Sequence, residues 1–572
     1  MVQLANKDAS RPAWSRTAWC GHQVMINVLI GVVALVIFGA TFRAGTERGM
    51  DQLVTWEGYG RVLNAVAAVM TKERFGVGGY ALSDCIHNEL EKRGFTSDPE
   101  ITKRLGVTVP QNLRAPFLDQ VLADMHRDLP NVSENCKLAV RGLGADDLGY
   151  VDFAKIAFSL FGLHVRAFYY LFFLIYGLTL FCALLERRND RLGQIVLIGT
   201  AALVYASCYY SDFLLLPEPS GSGNMLNPRF MPVLALVPGV HLLLVLVDKA
   251  QLNWWRIAYA RLNWWPIAIV TLQSMVILFA IHIRASAVWW LLTFILAAVW
   301  LFVLALREAR RKGKAGRLTP YRAVAAQWPA VLPVLVIALG VKAVAWSLHP
   351  VYREGGWLQH HAMWHSIYYS LQFHPKYPEK YAAYHDGQGG DAMPIAAAMR
   401  YLKDHPEEDK PDIYLAGKSL KYSAMERLDR LAFFEFARRD PWFTFETFFI
   451  IKAKLILDDI VNQTRLEWSR ATWEGHLFFI LVIVLSAVLA ARDRADMQRL
   501  SRLTAIFGVG ALASLLIPFL TVVFVQVMTE EIMAIQLAAC LLLSLALANI
   551  VRACTRYYVE RTSQEGMAVT AE

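Results

Sequence analysis

Ten runs of apolar residues, each about as long as a membrane-crossing helix, constrain this chain more than any other feature: roughly 24–41, 166–185, 193–211, 229–247, 264–283, 287–306, 328–346, 475–491, 503–527 and 532–550. A bilayer core offers the backbone no water, so a run of about twenty such residues has to close its own hydrogen bonds as a helix. The reading is therefore an all-α polytopic membrane protein with about ten transmembrane helices. The first run is long and lacks a small-residue cleavage site, which marks it as a retained anchor rather than a signal peptide.

Composition agrees: of 572 residues, 56% are hydrophobic and only 18% charged, more apolar than a soluble core needs. Lysine and arginine fix the expected orientation. The leader, alternate short loops and tail carry twenty-three of them, seven between Arg307 and Arg322, whereas the short loops opposite carry Arg229 and Arg284. The positive-inside rule then puts both termini in the cytoplasm. It also explains the net charge of +9 without nucleic acid, for which no basic and aromatic motif is present.

The chain divides accordingly into a cytoplasmic leader (1–23), a first span (24–41), an outer segment with an interfacial helix (42–165), a bundle (166–346), a second outer segment (347–474), C-terminal spans (475–550) and a tail (551–572). The two outer segments are too long for simple connectors, and together they form an expected extracytoplasmic cap. Cys85 and Cys136 are the two thiols of the first outer segment, so a disulfide between them suits an oxidising space.

Acidic residues cluster where outer segments meet the membrane. Glu47, Asp51 and Glu57 follow the first span, and GADDLGYVDFAKIAFSLFG sets Asp146, Asp147 and Asp152 beside an amphipathic stretch suited to lying on the membrane face. Adjacent carboxylates such as Asp146 and Asp147 resist joint ionisation unless a proton or cation intervenes, so they are candidates for general-base work or a divalent ion, and equally for a helix cap. At Asn227-Pro228-Arg229 the forked guanidinium of Arg229 suits a lipid phosphate, or simply anchors a span.

Seven of the fourteen histidines fall between His349 and His405. His361 and His365 are four apart, as helical zinc ligands are, but Ala362 stands where a metalloprotease motif has glutamate and no cysteine is near. Acid–base work or phosphate contacts by His360, His361 and His365 fit better, because imidazole titrates near neutrality. Asp386 and Asp391 flank Gly387, Gly389 and Gly390 in an acidic substrate-binding loop.

This order of features resembles the GT-C class of integral-membrane glycosyltransferases: a first span, an acid soon after it, an amphipathic helix with a second acidic motif, a Phe-Gly ending and a long bundle. The resemblance is firmest over Gly144 to Leu185 and fainter for WEGYGRVLNA. It implies a GT-C-like fold and transfer of a sugar from a polyprenyl-phosphate donor to an envelope lipid or glycan acceptor, on the outer face of a bacterial inner membrane. By position, Glu57 matches the first acid and Asp146 or Asp147 the second. The family commonly has an acidic pair near the first span where this chain has Trp56-Glu57-Gly58, which leaves the base open among Glu57, Asp51 and Glu47. Arg229 and the histidines would meet the departing phosphate, while Asp146 and Asp147 would orient the acceptor or hold a divalent cation, magnesium or manganese. The competing readings are a lipid or polysaccharide transporter and a non-catalytic envelope-assembly protein. Transporters usually carry ionisable groups in the bilayer interior, and these runs keep theirs at the edges.

Overall fold

The computed structural model describes residues 13–49, 148–162, 166–210, 230–249, 264–311, 328–347, 363–381, 392–414, 420, 422–470, 473–516, 519 and 529–569. Among these the chain is helical, with one isolated bridge between Tyr414 and Leu420. The membrane part comprises α1 (Ala13–Gly49), α2 (Leu148–Phe161), α3 (Arg166–Glu186), α4 (Arg191–Tyr210), α5 (Leu236–Lys249), α6 (Trp264–Ile283), α7 (Trp289–Arg311) and α8 (Trp328–Ser347). After the segment around 363–470 it resumes with helices Trp473–Arg492, Arg494–Ser514 and Thr529–Val569.

Among the described residues, six helical stretches are long and apolar enough to cross a membrane: Val24–Arg43, Ala167–Glu186, Met231–Asp248, Ala285–Leu304, Gly475–Arg492 and Glu530–Glu560. Three shorter apolar helices, Arg191–Tyr205, Ile267–Ile283 and Val331–Val344, fall on further expected runs. The run expected at 503–527 overlaps a helix that starts earlier, in the charged stretch at Arg494. The architecture is that of an all-α membrane protein.

One core joins these helices. At its centre is α5, extended at its start by a 3₁₀ turn: 94% of Met231–Asp248 is buried, against 11% of Val24–Arg43, so α5 is enclosed by other helices while α1 sits at the edge. The exposed leucines and valines of α1 (Val24, Val28, Leu29, Val32, Leu35, Val36) are the face a lipid tail would cover. Close approach replaces the hydrophobic drive that lipid removes. A Cβ on Gly239 of α5 would fall 2.2 Å from the Trp290 ring, so only glycine lets α7 press its indole onto α5.

The amphipathic stretch after Asp147 does form a helix, and neighbouring helices cover its apolar face. Tyr150, Phe153, Ala154 and Ala157 of α2 are fully buried against α3 and α6. Aromatic packing decides this: Phe153 meets Phe168 at 6.2 Å and Phe279 at 6.0 Å, and Phe158 meets Phe168 edge-on at 5.1 Å. Gly162, at φ 92°, closes the helix in the left-handed region that favours glycine, its N–H donating to the Phe158 carbonyl at 3.0 Å.

Residues between 363 and 452 form their own core. α9 (Met363–Tyr369), α10 (Ala392–Asp404) and α11 (Tyr422–Arg439) gather Tyr368, Leu371, Met393, Ala397, Phe436 and Phe443. The chain continues through α12 (Pro441–Phe445), a π-helical turn (Glu446–Lys452) and α13 (Ala453–Arg470). Ile456 and Ile460 of α13 pack on Ile532 at the start of the last membrane helix, which seats this cap on the bundle.

Candidate functional site

The last three helices are α14 (Trp473–Arg492), α15 (Arg494–Ser514) and α16 (Thr529–Val569). Two carboxylate–imidazole pairs stand out, one at the end of the bundle and one in the cap. The first begins with a glycine. A Cβ on Gly149 would lie 2.1 Å from the backbone oxygen of His282, so the first turn of α2 can touch the last turn of α6 only because position 149 has no side chain. Less than one turn later, Asp152 Oδ2 lies 2.8 Å from His282 Nε2. Both side chains are largely buried, at 7% and 15% exposure. A carboxylate at this distance selects the Nε2–H tautomer and orients the ring, which makes Nδ1 the basic nitrogen.

Nearby in the chain, the turn after α6 leads into Trp289 and Trp290, stacked at 4.1 Å. Trp290 Nε1–H donates to Glu530 Oε1 at 2.7 Å. Glu530 and Glu531 open α16, where the helix dipole favours negative charge, and both are buried. Asp152, His282 and Glu530 therefore all lie at helix ends, not in mid-span.

The cap pair is built on α9 and α11. Glu426 accepts the backbone N–H groups of Trp364 and His365 at 2.7 and 3.1 Å, satisfying two of the donors that a helix start leaves open. Three residues on, fully buried Asp429 lies 3.2 Å from His365 Nδ1. Burial pushes the Asp429 carboxyl up to about 6, with His365 pulling it down and Glu426 pushing it further up. Its Oδ1 has no hydrogen-bond partner among the described residues.

Other titratable groups of the cap are anchored. Burial brings the Lys452 ammonium down to about 7; its Nζ donates to Ser370 Oγ at 2.9 Å and lies 5.0 Å from the centre of the Phe448 ring. Asp440 caps α12 through the Phe443 N–H at 3.1 Å and also accepts from Lys380 and Tyr381. Burial acts to raise its carboxyl, but these donors win and hold it at about 2. Beside α9 opens an apolar groove of 420 Å³, lined among others by Trp364, Ile367, Phe433, Phe445 and Phe448, and by Phe519 from the membrane part.

Of the residues read from sequence, His365 is placed, where it meets Asp429 and Glu426, and so is Asp152, which meets His282. Glu57, Asp51, Asp146, Asp147, Arg229, His360, His361, Asp386 and Asp391, with Cys85 and Cys136, lie outside the described residues. Among the described residues no group of three His, Cys, Asp or Glu side chains is arranged to hold a metal ion. The sequence reading missed His282, Asp429, Glu530 and Lys452. For His282 and Glu530 a signal existed: each is an ionisable residue at the edge of an apolar run. Asp429 and Lys452 gave none, since only folding buries them.

Comparison of the chain with family models, with curated proteins and with solved structures finds no match.

Proposed function

We propose that the chain is an inverting membrane glycosyltransferase that moves a sugar from a polyprenyl-phosphate donor to an envelope lipid or polysaccharide acceptor. The observation that carries this reading is the buried Asp152–His282 pair at 2.8 Å, held on the segment that also bears Asp146 and Asp147. An imidazole oriented by a carboxylate is a proton acceptor poised for work on a hydroxyl. The cap groove that reaches Phe519 has the apolar lining an isoprenoid tail requires.

In this mechanism the proton of the acceptor hydroxyl is taken, as its oxygen attacks the anomeric carbon, by the His282 imidazole that Asp152 orients or by a carboxylate, Glu57 or Asp51, that passes it to that imidazole. The bond to the lipid phosphate breaks with inversion. Arg229, His360, His361 and His365 meet the charge that develops on the departing phosphate, and such fixed donors act most strongly where water is excluded. Asp146 and Asp147 orient the acceptor, with Asp386 and Asp391 beside the sugar. Ten spans, cytoplasmic termini and a bacterial inner membrane belong to the same proposal.

The test uses the full chain in lipid nanodiscs with radiolabelled polyprenyl-phosphate sugars and envelope lipid extract. Transfer by the native chain, and its loss by about a hundredfold or more in Asp152→Asn and His282→Ala, is the expected result, since positioned acid–base groups contribute on that order. Both variants are checked for an unchanged unfolding transition. A native chain that moves lipid across vesicles yet transfers no sugar overturns the proposal in favour of a transporter.

A further inference from the structure

At the end of α16 far from Glu530, a groove of 580 Å³ runs between α14 and α16. Arg492, Arg552 and Arg556 line it together with Val488, Val551 and Val559. Arg552 and Arg556 are one helical turn apart on the same face, an arrangement in which like charges repel. None of the three arginines has an ion-pair partner among the described residues. A single carboxylate, Glu560, also lines the groove, so the site carries a net positive charge.

Depth along the membrane identifies what such a groove would meet. Glu530, the first acid of the apolar stretch Glu530–Glu560, is held by Trp290 at the opposite end of the bundle. At 1.5 Å rise per residue, Arg552 and Arg556 lie about 33 and 39 Å farther along the helix, just past one hydrocarbon thickness of about 30 Å. That is headgroup level. Tyr557 and Tyr558, 67% and 69% exposed, stand at the same height, where interfacial aromatics collect.

We propose that this groove binds the phosphate of an anionic glycerophospholipid of the surrounding bilayer, gripped by Arg492, Arg552 and Arg556, with the first carbons of its chains along Val488, Val551 and Val559. The guanidinium fork matches phosphate geometry, and the apolar walls give a lipid an advantage that a free anion lacks. The site is independent of any sugar transfer.

The test uses the full chain, delipidated in neutral detergent, then titrated with phosphatidylglycerol, phosphatidylcholine or inorganic phosphate and followed by native mass spectrometry and thermal unfolding. The expected result is preferential retention of phosphatidylglycerol, with a raised melting temperature that phosphatidylcholine and phosphate do not reproduce. Replacing the three arginines by glutamine weakens that retention by about fivefold per charge removed, as surface charges near anionic lipid each contribute about 1 kcal/mol. The corresponding lysine triple keeps most of it. Equal retention of both lipids by the native chain, a shift matched by phosphate alone, or undiminished selectivity in the glutamine triple each overturns the proposal. Should the glutamine triple fail to unfold cooperatively, Arg552→Gln alone gives the same readout, with a fivefold loss expected and no loss overturning it.

Discussion

At the scale of the residue, Asp429 shows how a carboxylate buried beside imidazole changes what pH does to a fold. Its carboxyl sits at about 6, above the ordinary carboxylate value of 3.8, chiefly because burial penalises the charged form. A group whose folded value is raised favours folding while protonated. Its contribution is complete below about pH 4 and disappears as pH climbs through about 6. The size follows from the shift, on the order of 2–3 kcal/mol between those limits. Asp429→Asn, which stays neutral while still accepting from His365 Nδ1, should flatten that slope and make the cap harder to unfold at pH 8 than the native cap. The check is denaturant unfolding followed by tryptophan fluorescence at pH 4 to 8. An unaltered slope in the variant would remove Asp429 as its source. The residue scale also shows what a sequence hides. His365 was visible because histidines crowd its segment, but its partner lies 64 residues on in an ordinary amphipathic helix. Asp152 was visible from its motif, whereas His282 comes from 130 residues away.

At the scale of the element, the apolar runs wrote their own helices, because a bilayer leaves the backbone no other option. The route each helix takes against its neighbours was less legible. The stretch after Asp147 carries the right period for an interfacial helix, and its aromatics pack on Phe168 and Phe279. Period alone cannot tell a lipid surface from a protein surface, since both are apolar. What directs α2 to its seat is Gly149, whose hydrogen takes the place of a side chain against the His282 carbonyl. Gly149→Val should therefore push α2 off the end of α6. The fold should lose about 1–3 kcal/mol, as overpacked sites do. The Asp152–His282 distance should grow beyond hydrogen-bond reach, and any activity that needs the pair should fall with it. Melting temperature and activity, measured on the same preparation, check this. Gly508→Val is the control, because nothing lies within 4 Å of a Cβ there. Equal effects at the two positions would show that helix propensity, not the contact, is at stake.

At the scale of the whole molecule, a largely buried four-residue ion-pair cluster ties helices together at the opposite end from Asp152. Arg187 follows α3, Asp190 caps α4, Asp248 ends the apolar stretch of α5 and Arg499 lies in the second turn of α15. These four interlock: Arg499 bonds Asp190 at 2.5 Å and Asp248 at 3.0 Å, and Arg187 bonds both aspartates, Asp190 at 3.2 Å. Burial acts to raise the Asp190 carboxyl, but Arg499 and Arg187 outweigh it and hold it below the usual carboxylate range. Stability from Asp190 is thus present above that range and lost as pH falls through its lowered value. Removing one partner of such a cluster leaves charge stranded, which costs about 3–5 kcal/mol. Arg499→Met should lose about that much in detergent unfolding, and adding Asp190→Asn should restore part of it. Strict additivity of the two changes would deny the coupling.

The same cluster bears on orientation, because it gathers connectors that the lysine and arginine count had already assigned to one side. No single loop carries enough charge to settle its own position, but Arg187, Asp190 and Arg499 in contact have to share a membrane face. If that face is cytoplasmic, the cap on the far side of the spans is external. In a chain whose native cysteines are replaced by serine, a cysteine introduced at Arg502 should resist an impermeant maleimide applied to intact spheroplasts until the membrane is opened. One introduced at Glu407, exposed in the cap, should react at once. Reaction at Arg502 before lysis, with Glu407 protected, would invert the molecule. The cap would then face cytosol, and transfer from an outward-facing lipid-linked sugar would lose its compartment.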